Sequence, residues 1–279
     1  MSTPSISAGF RHASHSALAM NVIFLSFILL VFAALCLVPH LLLLVILTTS
    51  AVEVHRFVSS QPQSFDATGS FAKFMIIWPL GMGSVVAFGL LAPATQDHHL
   101  GWFTVYINAA VLGNIAMMGF IPPGPHGVRG HSHRAACVLL VLWLIREMNH
   151  VGWRTVAFDG TFLLFNASPL AWVLAHACYR LIMLTLPPFD TLRYLVLEPA
   201  SLGIMFLLSY VNDAAPSLWF GQADTLVAST VCFTSAFLGW FTPSTPVSLM
   251  RLPETPALDT ACVAVHGVVC VVALAHLVY

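Results

Sequence analysis

Residues 18–57 read LAMNVIFLSFILLVFAALCLVPHLLLLVILTTSAVEVHRF, and this apolar run decides the fold class of the chain. About twenty apolar residues cross a bilayer as a helix. The run is therefore long enough for two spans, and Pro39 and His40 interrupt it near its middle. It is also far longer than the apolar core of a cleaved signal peptide. We expect an uncleaved helical hairpin in a membrane, preceded by a polar tail at residues 1–17.

The rest of the chain has the same character. Of its 279 residues, 58% are hydrophobic and only 8% are charged, whereas a soluble domain has about a quarter of its residues charged. Further apolar runs cover 71–93, 100–121, 161–186, 194–211, 219–241 and 257–279. The predicted fold class is all-α: a polytopic integral membrane bundle of seven or eight transmembrane helices, forming a single transmembrane domain over residues 1–279.

One apolar segment, 135–149, is short for a span, and an interfacial or re-entrant helix is expected there. The stretch before it, IPPGPHGVRGHSH (121–133), has the composition of a loop. Lysine and arginine concentrate in the N-terminal tail, in the loop 122–134 and on the flanks of the loop 58–70. The positive-inside rule therefore places the N-terminus in the cytoplasm. We expect a multi-pass membrane protein, in the endoplasmic reticulum if the organism is a eukaryote.

Composition and missing motifs exclude several classes of protein. The formal charge of −1 provides no basic face for a nucleic acid. The six cysteines form no C-x-x-C pair, so neither a zinc site nor a disulfide framework is indicated. Walker loops, G-x-S-x-G elbows and D-D-x-x-D motifs are missing from the sequence. Histidines in apolar context, His176 and His266 among them, are expected to be hydrogen-bonded core residues rather than haem ligands. We expect no metal, no cofactor and no obligate protein partner.

The acidic residues in or near the predicted spans are the candidate functional groups, because burying an unpaired charge in a bilayer is costly. The expected topology places Glu53, Asp213 and Asp224 on the cytoplasmic side. Glu147 is expected on that side too, and Glu198 toward the opposite face. A carboxyl group that keeps its proton in hydrocarbon can donate it, so Glu53 and Asp224 are predicted to form an acid/base pair. The structural alternative is local pairing or capping, although the sequence around Asp224 offers no cation.

Aromatic residues supply a second candidate feature. Most of the seven tryptophans fall near the ends of predicted spans, where an aromatic belt is expected. Trp219 and Phe220 lie close to Asp224 in the sequence, and Trp153 follows the segment 135–149. Because aromatic faces attract cations, these three side chains are predicted to contact a substrate that becomes cationic.

Three segments carry a resemblance to a known family. QDHHLGWFTVYINAAVLGNIAMMGFIPPG, REMNHVGWRTV and PSLWFGQADT, in this order, resemble the layout of fungal wax-synthase-like membrane acyltransferases. That resemblance implies an O-acyltransferase with a histidine base, such as His150 or His176. The Trp-His-Gln type motif of those enzymes is replaced here by FTSAFLGWFTPST.

The length of the chain, its seven or eight predicted spans and its few acidic residues at one membrane face are similar to those of the membrane-bound terpene cyclases of fungal meroterpenoid pathways. That resemblance implies a cofactor-independent lyase or isomerase of secondary metabolism, in which a carboxyl group protonates an epoxide or olefin of a lipophilic, prenylated isoprenoid. The candidate carboxyl groups are those of Glu53, Asp224, Asp213 and Glu147. The remaining alternative is a non-enzymatic membrane subunit or transporter, although the chain has no internal repeat of the kind that many transporters carry.

Overall fold

The computed structural model describes residues 96–120, 127–153, 156–158, 163–186, 197–224, 227 and 255–279, together with single positions at 19, 22, 23, 26, 30, 48 and 51. Most of these residues are helical, which confirms the all-α class. The helices are α1 (Gln96–Phe120), α2 (Val128–Val151), α3 (Leu170–Met183), α4 (Leu197–Asn212) and α5 (Pro256–Val278). A 3-10 helix covers Pro216–Trp219, residues 220–224 are helical, and two short strands are β1 (Val156–Phe158) and β2 (Leu163–Phe165).

Within the described residues, α5 is the helix that is both long and apolar enough to cross a bilayer. Its start is marked by Thr255, whose side-chain oxygen accepts a hydrogen bond from the backbone N–H of Leu258 at 3.2 Å, and by Pro256 in the first turn. Its 23 residues extend for about 35 Å at the rise of an α-helix. The predicted run 257–279 is therefore confirmed as a helix, while the number of spans stays a prediction.

Helix α2 is the centre of the described bundle, and its contacts fix the directions of its neighbours. Helix α1 runs antiparallel to it: Met118, near the end of α1, contacts His133, whereas the side-chain amide of Asn108 donates to the backbone oxygen of Trp153 at 3.2 Å. Helix α3 is antiparallel to α2 as well, because its first turns contact the middle of α2 and its later turns contact the first turns of α2.

Helix α5 runs parallel to α2 and forms with it the most extensive helix pair among the described residues. Arg129 forms an ion pair with Asp259 at 3.3 Å, close to the start of both helices. Near the other end, the rings of Trp143 and His276 stack with their centroids 4.4 Å apart. The two helices therefore keep the same direction over most of their length.

The length of α2 corrects the prediction for the segment 121–133. Residues 128–133 were expected in a loop, but they form the first turns of a helix of 24 residues. Glycines with positive φ bracket this helix, Gly127 at 137° and Gly152 at 88°, which is a conformation that side chains disfavour. The expected short interfacial segment 135–149 is thus the middle of a helix packed side by side with α1 and α5.

Residues 161–186 were predicted to form one span, and this prediction was wrong for the first residues of the run. Leu163–Phe165 forms β2, which pairs antiparallel with β1 in the register Val156 to Phe165, and α3 begins only at Leu170. Its 14 residues extend for about 21 Å. An apolar run alone does not separate a strand from a buried helix, which explains the error.

The core of the described bundle lies between α2, α3 and α5. Its largest fully buried side chains include Trp143, Trp172, Tyr179 and Leu140. The backbones of α1 and α2 approach closely at Gly119, where an added Cβ would lie 2.5 Å from the Cys137 sulfur. Gly119 therefore permits the close packing of α1 against α2.

The hairpin predicted at 18–57 and the span predicted at 71–93 lie largely outside the described residues. Five single positions before residue 40, starting with Ala19, are helical, and so are Thr48 and Ala51. The runs 100–121 and 194–211 are confirmed as helices by α1 and α4.

Candidate functional site

Three ionisable side chains meet inside the bundle, and we call them the Arg180 cluster: Arg180, Glu198 and Asp224. Arg180 Nε lies 2.7 Å from Glu198 Oε1, and Arg180 Nη1 donates a hydrogen bond to Asp224 Oδ1. All three residues are buried, with exposed fractions of 6%, 3% and 4%. Charged groups buried to this degree are rare unless they are paired, so this cluster is the outstanding polar feature of the described interior.

Helix periodicity explains how the sequence builds this cluster. On α3, Trp172, His176 and Arg180 are spaced four residues apart, so their side chains lie on one stripe of the helix. Asp224 follows Phe220 by the same spacing on the helical segment 220–224. These two stripes face each other, because the rings of His176 and Phe220 lie 5.5 Å apart in an edge-to-face arrangement.

Glu198 reaches the cluster from the first turn of α4. Carboxylates are stabilised near a helix N-terminus by the helix dipole. Although Glu198 Oε1 is in ion-pair contact with Arg180, neither of its oxygens has a hydrogen bond of acceptable geometry within the described residues. Ser201, one turn later on the same face, is also buried without a hydrogen-bond partner there. Glu198 is therefore held by an ion pair alone, whereas Asp224 also accepts a hydrogen bond.

The charges of the cluster do not balance. One guanidinium faces two carboxyl groups, so the fully ionised cluster carries one net negative charge. Two carboxyl groups that share a buried site resist simultaneous ionisation. The arrangement can therefore hold a proton on one carboxyl group while the other stays paired with Arg180.

His176 lies one helical turn from Arg180 and is enclosed by aromatic rings. Its ring stacks on Trp172 with centroids 4.8 Å apart and 9° between the planes. The residue is 2% exposed, and neither ring nitrogen has a hydrogen-bond partner within the described residues. The expectation of a hydrogen-bonded core histidine is thus wrong for His176. A buried polar group without a partner is unusual, and a bound polar ligand would satisfy it.

Of the residues predicted from the sequence, Asp224 and Phe220 belong to this site. Trp219 is buried directly before them, at the end of the 3-10 helix. The structure gives Asp224 a cation that its local sequence does not contain, and it contradicts the expectation for Glu198. Asp224 has a cation beside it, because α3 supplies Arg180 from a distant part of the sequence. Glu198 does not lie toward the opposite face from Asp224, since both contact the same guanidinium.

The structure places the other predicted residues elsewhere. Asp213 sits in the turn after α4 with φ at 49°, about 22 Å from Glu198 along the helix axis. Glu147 accepts a hydrogen bond from the Trp143 side chain at 3.1 Å, toward the end of α2. Trp153 follows that end and is 50% exposed. The remaining candidate, Glu53, lies outside the described residues, so its pairing with Asp224 stays a prediction.

Sequence reasoning gave Arg180 no role, yet a signal was present. Arg180 is the single charged residue in the apolar run 161–186, and a charge in a run that is predicted to span a membrane marks a candidate functional site. Arg180 follows His176 by four residues and Trp172 by eight, a spacing that predicts all three side chains on one face of a helix. Its pairing with Glu198 and Asp224 joins three separate segments, which no local pattern contains.

The described residues hold no group of three or more histidine, cysteine or acidic side chains arranged to bind a metal ion. Comparison of the chain with protein-family models, with curated proteins and with solved structures gives no significant match.

Proposed function

We propose that the chain is a membrane-embedded terpene cyclase that acts on a lipophilic, prenylated isoprenoid by transferring a proton to its epoxide or olefin. The observation that carries this proposal is the Arg180 cluster, in which two buried carboxyl groups share one cation beside buried aromatic rings. Proton-initiated cyclisation needs an acid kept away from water and a wall that tolerates carbocations. The buried carboxyl groups and the aromatic rings of this site meet these two requirements.

The geometry supports separate roles for the two carboxyl groups. Asp224 accepts a hydrogen bond from Arg180 and serves as the partner of its guanidinium. Glu198 lacks such a bond and holds the proton. Its O–H donates that proton to the epoxide oxygen, the adjacent C–O bond breaks, and the alkene carbons attack the resulting cation to close the rings. A proton is then lost from carbon, so the product is an isomer of the substrate.

His176 is the base proposed for the last step. Its ring nitrogens are buried without hydrogen-bond partners in the described part of the chain, and the Trp172 and Phe220 rings lie beside it. A neutral imidazole there takes the terminal proton from the carbocation. The aromatic faces stabilise the preceding cation by cation–π attraction, which is worth about 2 kcal/mol or more in a desolvated site.

The bundle itself is proposed to lie in the bilayer, with α1, α2 and α5 as spans. Helix α5 exposes a row of large apolar side chains that suits contact with lipid: Val265, Val268, Val271, Leu274 and Val278. Helix α2 lies side by side with α1 and α5. We therefore propose that it crosses with them, in place of the interfacial position expected from the sequence.

The experiment that tests the proposed function uses membranes that contain the full chain. Prenylated aromatic epoxides and, separately, lipophilic alcohols with acyl-CoA are added, and products are analysed by mass spectrometry. A cyclase converts the epoxide into a product of unchanged mass and new retention time. Acyl addition to an alcohol would instead support the acyltransferase alternative, and no turnover of either kind by well-expressed protein would contradict the proposal.

A further inference from the structure

A second polar group lies outside the Arg180 cluster, where α1, α2 and α5 meet. We call it the histidine relay: Ser132, His266 and His133. Ser132 Oγ lies 2.8 Å from His266 Nδ1, and His266 Nε2 lies 3.4 Å from His133 Nδ1. His133 Nε2 lies 3.1 Å from the backbone oxygen of Met118. Four groups thus form one hydrogen-bonded chain from a hydroxyl to a carbonyl.

The carbonyl at the end of this hydrogen-bonded chain determines which atom donates in each of its hydrogen bonds. The oxygen of Met118 can only accept a hydrogen bond, so His133 Nε2 carries a hydrogen. Nδ1 of neutral His133 then accepts, so His266 Nε2 is the donor to it. Nδ1 of neutral His266 is left with a free lone pair, and that lone pair faces the hydroxyl of Ser132. The protonation state is therefore the one that a base needs to activate a serine.

The relay is also held rigidly. The ring of His133 stacks on that of Tyr179 with centroids 4.4 Å apart and 8° between the planes. His133 and His266 are buried, whereas Ser132 is only half-buried and can be reached. The hydroxyl of Ser132 also donates toward the backbone oxygen of Arg129 at 3.0 Å. Its single hydrogen is shared between these two acceptors, and only His266 can take it as a proton.

We propose that Ser132 is a nucleophile for acyl groups, with His266 as its base and His133 as a positioning residue. Ser132 Oγ attacks the carbonyl carbon of an ester or thioester, and its proton passes to His266 Nδ1. The bond from that carbon to the leaving alcohol or thiol then breaks, and the leaving group takes the proton from His266. Water or an alcohol acceptor attacks the acyl-serine in the second half by the same route in reverse.

The surroundings indicate a lipophilic acyl group. On α2, Val128 and Ala135 lie one turn before and one turn after Ser132 on the same face of the helix, and both are exposed, Val128 to 69%. These side chains offer an apolar surface beside the relay on which an acyl chain can lie. This centre rests on contacts separate from those of the Arg180 cluster, so it stands independently of the proposed cyclase function.

A fluorophosphonate probe tests the proposal on the full chain in membranes, because it reacts covalently with activated serines. We expect labelling of the wild type, with the adduct mapped to Ser132 by peptide mass spectrometry. Ser132→Ala should abolish labelling, and Ser209→Ala, which removes another half-buried serine with a backbone hydrogen bond, should not. An unlabelled wild type, or an adduct on a different serine, would overturn the proposal without reference to any variant.

The roles of the histidines have their own test. His266→Asn should slow labelling by about two to four orders of magnitude, the usual contribution of a general base. His133→Gln retains an acceptor for His266 and a donor for Met118, so it should label faster than His133→Leu at equal membrane level. Equal labelling of these two variants would show that His133 does not position the base. Unchanged labelling of His266→Asn would contradict the mechanism.

Discussion

Replacing Arg180 with methionine removes the positive charge that Glu198 and Asp224 share, while keeping a long apolar side chain on α3. The side chains of both carboxylates are almost fully buried, at 3% and 5% exposed. Breaking a buried ion pair by removing one partner costs about 3–5 kcal/mol, since a charge is left unpaired. That free energy lowers the folding equilibrium constant by about 10² to 10⁴. Arg180→Met should therefore be strongly destabilised.

The assay is thermal unfolding of detergent-purified protein, followed by reaction of the buried thiols of Cys137 and Cys262 with a fluorogenic maleimide. Arg129→Met is the matched control, because its partner Asp259 has a side chain that is 57% exposed. Removing Arg129 leaves only an exposed carboxylate that water can solvate, so the lost ion pair should cost about 1 kcal/mol or less. We expect the unfolding temperature to fall much further for Arg180→Met than for Arg129→Met.

Neutralising the two acids at the same time should rescue much of this loss. Arg180→Met combined with Glu198→Gln and Asp224→Asn leaves no buried charge in the cluster, so the cost of an unpaired buried charge is removed. The reasoning would be refuted if Arg180→Met unfolded at the wild-type temperature. It would also be refuted if the triple variant were less stable than the single one.

Two further predictions concern the packing and the orientation of the helices. Gly119→Ala places a methyl group 2.5 Å from the Cys137 sulfur, so it should cost about 1–3 kcal/mol by overpacking. In Gly113→Ala the added methyl group meets no atom within 4 Å, so this variant should be more stable by up to about 1 kcal/mol because alanine favours a helix more than glycine does. Equal unfolding temperatures for these two variants would contradict the close approach of α1 and α2. Because α2 and α5 are parallel, a glycosylation tag after Tyr279 should lie on the opposite side of the membrane from one in 121–127, and tags on the same side would show that α2 and α5 do not both cross.

Hydrophobic runs predicted the helices that are long and continuous. The runs 100–121, 194–211 and 257–279 match α1, α4 and α5 to within a few residues. The start of α2 was not predicted because 121–133 is rich in glycine, proline and histidine, a composition that indicates a loop. In the structure, α1 and α5 bury Arg129 and His133, and this tertiary packing overrides the weak local preference.

The candidate site was predictable only in part, for a physical reason. Asp224 and Phe220 stand out locally as an acid and an aromatic residue in an apolar run. The role of Glu198 depends on Arg180, which lies on another helix, and that pairing is a property of the tertiary structure. The charge balance of the cluster, on which the proposed chemistry rests, exists only once α3, α4 and the segment 220–224 have packed together.

The central claim is that the carboxyl groups of the Arg180 cluster transfer a proton to a prenylated substrate. The most direct measurement compares the rate of cyclised product formation by membranes with wild-type protein, Glu198→Gln and Asp224→Asn, at matched protein levels. Asp259→Asn is the control, an exposed acid outside the cluster. The account predicts that Glu198→Gln lowers the rate by about two to four orders of magnitude, with a similar or smaller loss for Asp224→Asn and none for the control. Normal accumulation of both cluster variants with most of their activity retained would contradict it.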